Sequence, residues 1–294
     1  MACELCPRRC RVARGGGARG YCKAGDTTEI FRYGRHDGEE PPVSGTRGSG
    51  AVFFSRCTLR CLYCQNYPWS QEGAGRPYDL DGLAAILDGL RAQGCHNWNL
   101  VSPTPWLPWA MEARERARRT GPDLPIVYNT SGYERLETLR ALEGWVQVYL
   151  TDLRYARPES AAEGSDAAGY VASARAALLE MWRQTGPLVC DAEGVARQGT
   201  ICRLLVLPGR AQEAVENLAW LAEHVGPAIA VSVMAQYTPA HRAVGRDPWS
   251  RRLTREEYEP VVEALEAHDF GTGWVQDLEM PSPDELVGYR MSPD

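Results

Sequence analysis

Three cysteines stand within eight residues of one another in the segment Ser55-Arg-Cys57-Thr-Leu-Arg-Cys61-Leu-Tyr-Cys64-Gln-Asn66. Thiolates at Cys-x3-Cys-x2-Cys spacing can wrap one face of a cubane. A [4Fe–4S] cluster usually takes four Cys ligands, so three leave one iron open to a small molecule. The plainer alternative is a zinc site missing its fourth ligand. A second set, Cys3-x2-Cys6-x3-Cys10-x11-Cys22, offers four thiolates. Zinc and an auxiliary [4Fe–4S] cluster both accept that donor set, and zinc suits a small structural knuckle better. Metal binding would also supply folding energy that the first 25 residues otherwise lack, since after Met1 only Leu5, Val12 and Tyr21 are large apolar side chains. Cys95, Cys190 and Cys202 are isolated and read as small buried apolar residues.

The rest of the composition agrees with metal rather than disulfides. The chain has 294 residues, 44% of them apolar and 24% charged, which fits a globular protein with a sizeable core. Disulfide scaffolds are short and secreted. No apolar run approaches membrane-spanning length, and the first residues lack the apolar stretch of a signal peptide. The expectation is a cytoplasmic protein with no membrane partner. A net charge of -6 argues against a nucleic-acid partner for the whole surface, although residues 1–23 carry six Arg/Lys against Glu4 alone.

Elements that could position these groups begin at residue 50. Short apolar runs predict strands at 51–55, 97–102, 125–130, 146–151, 200–207 and 228–235. Amphipathic stretches predict helices at 80–93, 106–119, 134–142, 167–184, 211–223 and 255–268, with Asp79, Ser131 and Thr254 as starts. Strand–helix alternation repeated six times predicts an α/β fold, a partial (β/α)6 TIM-like barrel with a parallel sheet. Ligands then belong at the C-terminal strand ends, where Cys57, Ser102, Asn129, Ser131, Asp152, Arg154 and Gln236 fall. Arg203 lies within a strand and can point inward. The expected organisation is a cysteine-rich metal-binding segment and linker at 1–49, the barrel at 50–270 and a tail at 271–294.

The three-cysteine segment, with Tyr63 before its last Cys, resembles the signature of the radical S-adenosylmethionine (SAM) enzymes. Cys64-Gln65-Asn66 is similar to the Cys-His-Asn of glycyl-radical-enzyme activases, with Gln in the middle place. Glu39-Glu40-Pro41-Pro42, Thr151-Asp-Leu-Arg154, Arg203-Leu-Leu-Val-Leu-Pro-Gly209 and Met234-Ala-Gln-Tyr237 resemble the pyruvate formate-lyase activase-related proteins with a cysteine-rich N-terminus. The resemblance implies a [4Fe–4S] cluster on Cys57, Cys61 and Cys64, with SAM on the open iron. Reductive cleavage of SAM would give a 5′-deoxyadenosyl radical that abstracts hydrogen from a substrate. It further implies Tyr63 near the adenine, and Asn66, Ser102, Thr104, Asn129, Ser131, Asp152 and Gln236 around SAM. Arg154 and Arg203 become candidates for SAM's carboxylate, its ribose or the substrate, because a guanidinium donates two parallel hydrogen bonds to a carboxylate.

The expected partners are an electron donor such as flavodoxin or ferredoxin and a substrate that is a protein glycine, a peptide or a metabolite. The competing expectation is non-enzymatic: a metal-binding or electron-transfer protein, or a nucleic-acid adaptor using Arg8, Arg9, Arg11, Arg14 and Arg19.

Overall fold

A computed structural model describes residues 2–279. In chain order its strands are β1 (Thr28–His36), β2 (Ser49–Phe54), β3 (Arg76–Tyr78), β4 (Trp98–Val101), β5 (Ile126–Thr130), β6 (Val148–Asp152), β7 (Val189–Cys190), β8 (Ala196–Leu205), β9 (Ala230–Met234) and β10 (Thr272–Val275). One sheet runs β10-β9-β8-β6-β5-β4-β2-β1-β3, with β7 paired to β8. From β2 to β10 each neighbouring pair on this path is parallel, while β1 is antiparallel to both β2 and β3. The architecture is therefore α/β with a mostly parallel sheet, and among the described residues β10 and β3 do not pair to close it.

The crossover helices used in the argument are α1 (Leu80–Ala92), α2 (Leu107–Ala117), α3 (Tyr170–Thr185), α4 (Ala211–His224) and α5 (Arg255–Ala267). Asp79 caps α1 by accepting from Gly82 N, and Thr254 with Glu257 forms a capping box on α5. The helix after β5 starts only at Leu136, so Ser131 does not cap it; Gly132, in the left-handed region, makes a tight turn first. Outward strand residues such as Leu100, Tyr128 and Tyr149 pack under α1, α2 and α3. Cys202, Leu204, Val231 and Val233 pack under α4 and α5.

The concave face is partly filled from upstream. Val43 joins Val127, Val148, Leu150, Ile201 and Ala230 in an inner cluster. Asn97 fixes the backbone there, donating from Nδ2 to the Val43 carbonyl at 2.7 Å. Residues 37–48 are thus not a linker as the sequence suggested: Glu39, Glu40 and Val43 form an insert in the lumen. The boundary at residue 50 also shifts, because β1 is hydrogen-bonded to β2 over most of its length. At the other end, β10 extends the sheet into the segment read as a tail; residues 280–294 of that segment lie outside the described residues. Among the described residues no helix is long and apolar enough to cross a membrane.

Candidate functional site

Strand β2 ends at Phe54, and the cysteine loop leaves it through Ser55 and Arg56. Trp106 Nε1 donates to the Ser55 carbonyl at 2.7 Å, Ser55 Oγ to the Ala74 carbonyl at 2.6 Å, and Arg56 Nε to Glu29 Oε2 at 2.6 Å. Leu59, Leu62 and Tyr63 are buried, and Leu62 N donates to the Gly164 carbonyl at 2.9 Å. The loop is thereby pinned on both sides of its thiols.

Each thiol has a donor aimed at it. Cys61 Sγ accepts from Arg154 Nη1 at 3.1 Å and Ser165 Oγ at 3.0 Å. Ser70 Oγ lies 3.2 Å from Cys64 Sγ, and Leu59 N 3.5 Å from Cys57 Sγ. Burial, with Cys61 close by, pushes the Cys57 thiol up to about 12 and the Cys64 thiol to about 11. Without metal both thiols stay protonated near neutral pH, so ligation must displace their protons.

Beside the loop lies a cavity of about 230 Å3, lined by Cys61, Tyr63, Cys64, Asn66, Asn129, Asp152, Arg154, Arg203 and Gln236 among others. Register places its charged floor: Asp152 pairs with Arg203, and Arg203 with Ser232, across β6, β8 and β9. Arg203 donates from Nε to Asp152 Oδ1 at 2.9 Å, from Nη2 to Asn129 Oδ1 at 2.6 Å and from Nη1 to Glu39 Oε2 at 3.3 Å. Arg154 donates from Nε and Nη2 to Asp152 Oδ2 at 3.0 and 2.6 Å. Burial alone would raise the Asp152 carboxyl, but the two guanidiniums outweigh it and hold the group below its ordinary range. Burial raises Glu40, with Glu39 adding to the effect against the pull of Arg203.

The two arginines are already paired within the chain. A buried guanidinium needs anionic partners, and here Asp152 and Glu39 serve. Glu39 is the residue the sequence reading missed as part of the site. Its Oε1 also accepts from Asn99 Nδ2 at 2.9 Å and Asn129 Nδ2 at 3.1 Å.

Other expected residues are placed as follows. Tyr63 lines the cavity, stacks on Trp249 at 5.2 Å between ring centroids, and its hydroxyl is 2.7 Å from that of Tyr155. The Gln236 carbonyl accepts from Gln65 Nε2 at 3.1 Å. Thr104 is elsewhere: its hydroxyl donates to Glu134 Oε1 at 2.6 Å, and it lines the chamber of the N-terminal cysteines. Ser102 and Ser131 do not line the cavity. Ser102 sits in the left-handed region with its N–H on the Asn129 carbonyl, and the Ser131 carbonyl accepts from the Tyr170 hydroxyl at 2.8 Å. Cys190 is exposed, contrary to the buried reading, while Cys95 and Cys202 are buried.

The loop fits an iron–sulfur cluster by its donor chemistry: three thiols, hydrogen-bonded at sulfur, with Cys61 and Cys64 facing a polar cavity. Cys3, Cys6, Cys10 and Cys22 together line a separate narrow chamber. The preference for zinc there is not supported. Among the described residues no three His, Cys, Asp or Glu side chains converge closely enough to hold one ion. Zinc requires such convergence, with each sulfur at about 2.3 Å from the same centre.

The folds of known proteins agree with this architecture. Over 81% of its length the chain superposes on the radical S-adenosylmethionine methyltransferase TsrM of Kitasatospora setae, with a TM-score of 0.51, 12% identity and 56% of that chain covered. The FeFe-hydrogenase maturase HydG of Carboxydothermus hydrogenoformans matches over 79% of this chain and 54% of its own, with a TM-score of 0.52 and 15% identity. The chain shares its α/β fold with these two proteins. SuiB of Streptococcus suis, solved bound to S-adenosylmethionine, matches at a TM-score of 0.50 and 10% identity over 79% of this chain and 51% of its own. The chain spans about half the length of these solved structures. In sequence it is 28% identical over 276 residues to the uncharacterised protein MJ0674 of Methanocaldococcus jannaschii, covering 91% of this chain and 75% of that protein. No protein-family model matches it.

Proposed function

We propose that the chain is a radical SAM enzyme of the pyruvate formate-lyase activase-related type, cytoplasmic and reduced by a flavodoxin- or ferredoxin-class donor. The observation that carries this reading is the position of Cys57, Cys61 and Cys64. They sit on one pinned loop at the C-terminal end of a parallel strand, beside a cavity with a charged floor. When bound, a [4Fe–4S] cluster would supply the electron that cleaves the C5′–S bond of SAM and so yields the 5′-deoxyadenosyl radical that takes hydrogen from a substrate.

The chain's own residues do the remaining work. Arg154 donates to the Cys61 sulfur and to Asp152, which stabilises the thiolate and fixes the charged floor. Arg203 holds Asp152, Asn129 and Glu39 in one layer. Two guanidiniums balanced by two carboxylates can meet a zwitterionic amino acid group without leaving a charge unpaired. Phe53, Trp69 and Tyr63 wall the cavity and limit water around a reactive species.

Anaerobically reconstituted protein, given SAM and a strong reductant, is expected to release 5′-deoxyadenosine. No release after verified cluster assembly refutes the enzyme reading. Activation of a glycyl-radical protein, read as a glycine-centred electron paramagnetic resonance (EPR) signal, separates the activase from an enzyme for peptides or metabolites.

A further inference from the structure

We infer that Cys3, Cys6, Cys10 and Cys22 bind a second iron–sulfur cluster, and that it relays electrons to the cysteine loop of the cavity. The relay rests on the function proposed above; the metal site does not.

The four thiols are gathered by the backbone. Arg9 N closes a turn onto the Cys6 carbonyl, and Lys23 N closes another onto the Gly20 carbonyl. Cys3 N donates to the Val12 carbonyl while Arg11 N donates to the Cys3 carbonyl. Gly20 allows close approach: a Cβ there would lie 2.9 Å from Cys10 Sγ. All four cysteines then line one chamber. Two of the sulfurs accept hydrogen bonds, Cys3 from Arg14 Nη2 at 3.0 Å and Cys10 from Tyr21 N at 3.3 Å. Hydrogen bonds to sulfur set the potential of an iron–sulfur centre.

What distinguishes this chamber from a structural knuckle is where it docks. Arg8 Nε donates to the Thr58 carbonyl at 3.1 Å, inside the cysteine loop, and Arg60 Nη2 from that loop donates back to the Tyr21 carbonyl at 2.9 Å. Both guanidiniums lie on the Tyr21 ring, at 3.7 and 4.4 Å from its centroid. The Tyr21 hydroxyl donates to Asp166 Oδ2 at 2.7 Å, and the neighbouring Ser165 hydroxyl donates to Cys61 Sγ at 3.0 Å. A short path of bonds and hydrogen bonds, Cys10–Tyr21–Asp166–Ser165–Cys61, therefore joins one cysteine set to the other.

In the relay, a flavodoxin- or ferredoxin-class donor loses one electron and the N-terminal cluster gains it. That electron then passes to the loop cluster, and the N-terminal cluster returns to its oxidised state. No covalent bond forms or breaks, and no proton moves.

The test uses the full chain, reconstituted anaerobically with iron and sulfide in the presence of zinc. About eight irons per chain and no zinc are expected for two cubanes. The triple variant C57A/C61A/C64A is expected to keep about half of that iron, and its reduced EPR signal should not respond to SAM. Loss of all iron from the triple variant, or zinc in the N-terminal site, overturns the inference. C10A/C22A is expected to lose the other half and keep the SAM-responsive signal. Y21F should keep all the iron yet reduce the loop cluster several-fold more slowly with a flavodoxin donor. A rate unchanged in both Y21F and C10A/C22A overturns the relay. Absence of 5′-deoxyadenosine from a wild type holding both clusters would count against the proposed function alone.

Discussion

The guanidinium of Arg154 lies 3.1 Å from the sulfur of Cys61, and its other edge grips the Asp152 carboxylate. One side chain thus ties the cysteine loop to the end of β6. Replacing it with Gln removes a cation and a charge-assisted hydrogen bond from the sulfur. R154Q should lower the midpoint potential of the loop cluster in a redox titration and slow SAM cleavage at least about tenfold, near 1.4 kcal/mol of barrier. An unchanged potential would show that the contact is incidental.

Arg203 serves three acceptors on three different elements. Lysine keeps the charge but lacks the planar fork. R203K should cost about 1–3 kcal/mol in urea unfolding, because Asp152 and Glu39 lose part of their pairing. Wild-type stability in R203K would mean that these buried carboxylates find other donors.

The thiols divide into ligands and bystanders. Alanine at Cys57, Cys61 or Cys64 should abolish SAM cleavage and most of the absorbance of the loop cluster. Alanine at buried Cys95 or exposed Cys190 should leave both nearly intact. Five variants behaving alike would erase the division.

Gly132 has φ +79, and a Cβ there would stand 2.3 Å from the Asp152 carbonyl oxygen. G132A combines left-handed strain with a backbone clash in the turn that follows Asn129. A loss of at least about 2 kcal/mol is expected in thermal or urea unfolding. A stable G132A would require β6 to move, which its crystal structure would reveal.

Glu134 is a buried acid between the barrel and the N-terminal chamber. Burial raises its carboxyl to about 7, against hydrogen bonds from Thr104, Thr130 and Tyr128. Tyr128 and Tyr149 are raised by burial, so these neighbours hold their protons across the window concerned. The folded state binds the Glu134 proton more tightly than the unfolded chain. Its stabilising share is complete below pH 4.5 and fades as pH rises to about 7. Relative to E134Q, the wild type should lose roughly 3 kcal/mol over that range. Parallel urea curves for the two proteins at pH 5 and pH 8 would contradict this.

Much of this arrangement was legible in the sequence because it is local. The alternation of apolar runs and amphipathic stretches located the parallel strands, and the cysteine spacing located the loop. Arg203, set between apolar neighbours in a strand, pointed inward as expected. What escaped was non-local. β1 carries Ile30, Phe31 and Tyr33, a strand signal, yet Arg32 and Arg35 interrupt its alternation. Glu39-Glu40-Pro41-Pro42 looks like a solvated linker, and only the fold shows it filling the lumen. Its partner in charge, Arg203, is 164 residues away. Such separations hid the ion pairs that Arg203 makes within the chain.

That lumen insert also bears on the order in which the protein is made. Glu39, Glu40 and Val43 leave the ribosome before any of the parallel strands they will pack among. Synthesis proceeds at about 5–20 residues per second, so Glu39 waits roughly 8–33 seconds for Arg203. During that interval its carboxylate stays in water and the insert has no lumen to occupy. The parallel sheet therefore assembles with the insert already made, and the charge of Glu39 stays unpaired by Arg203 until β8 has followed it.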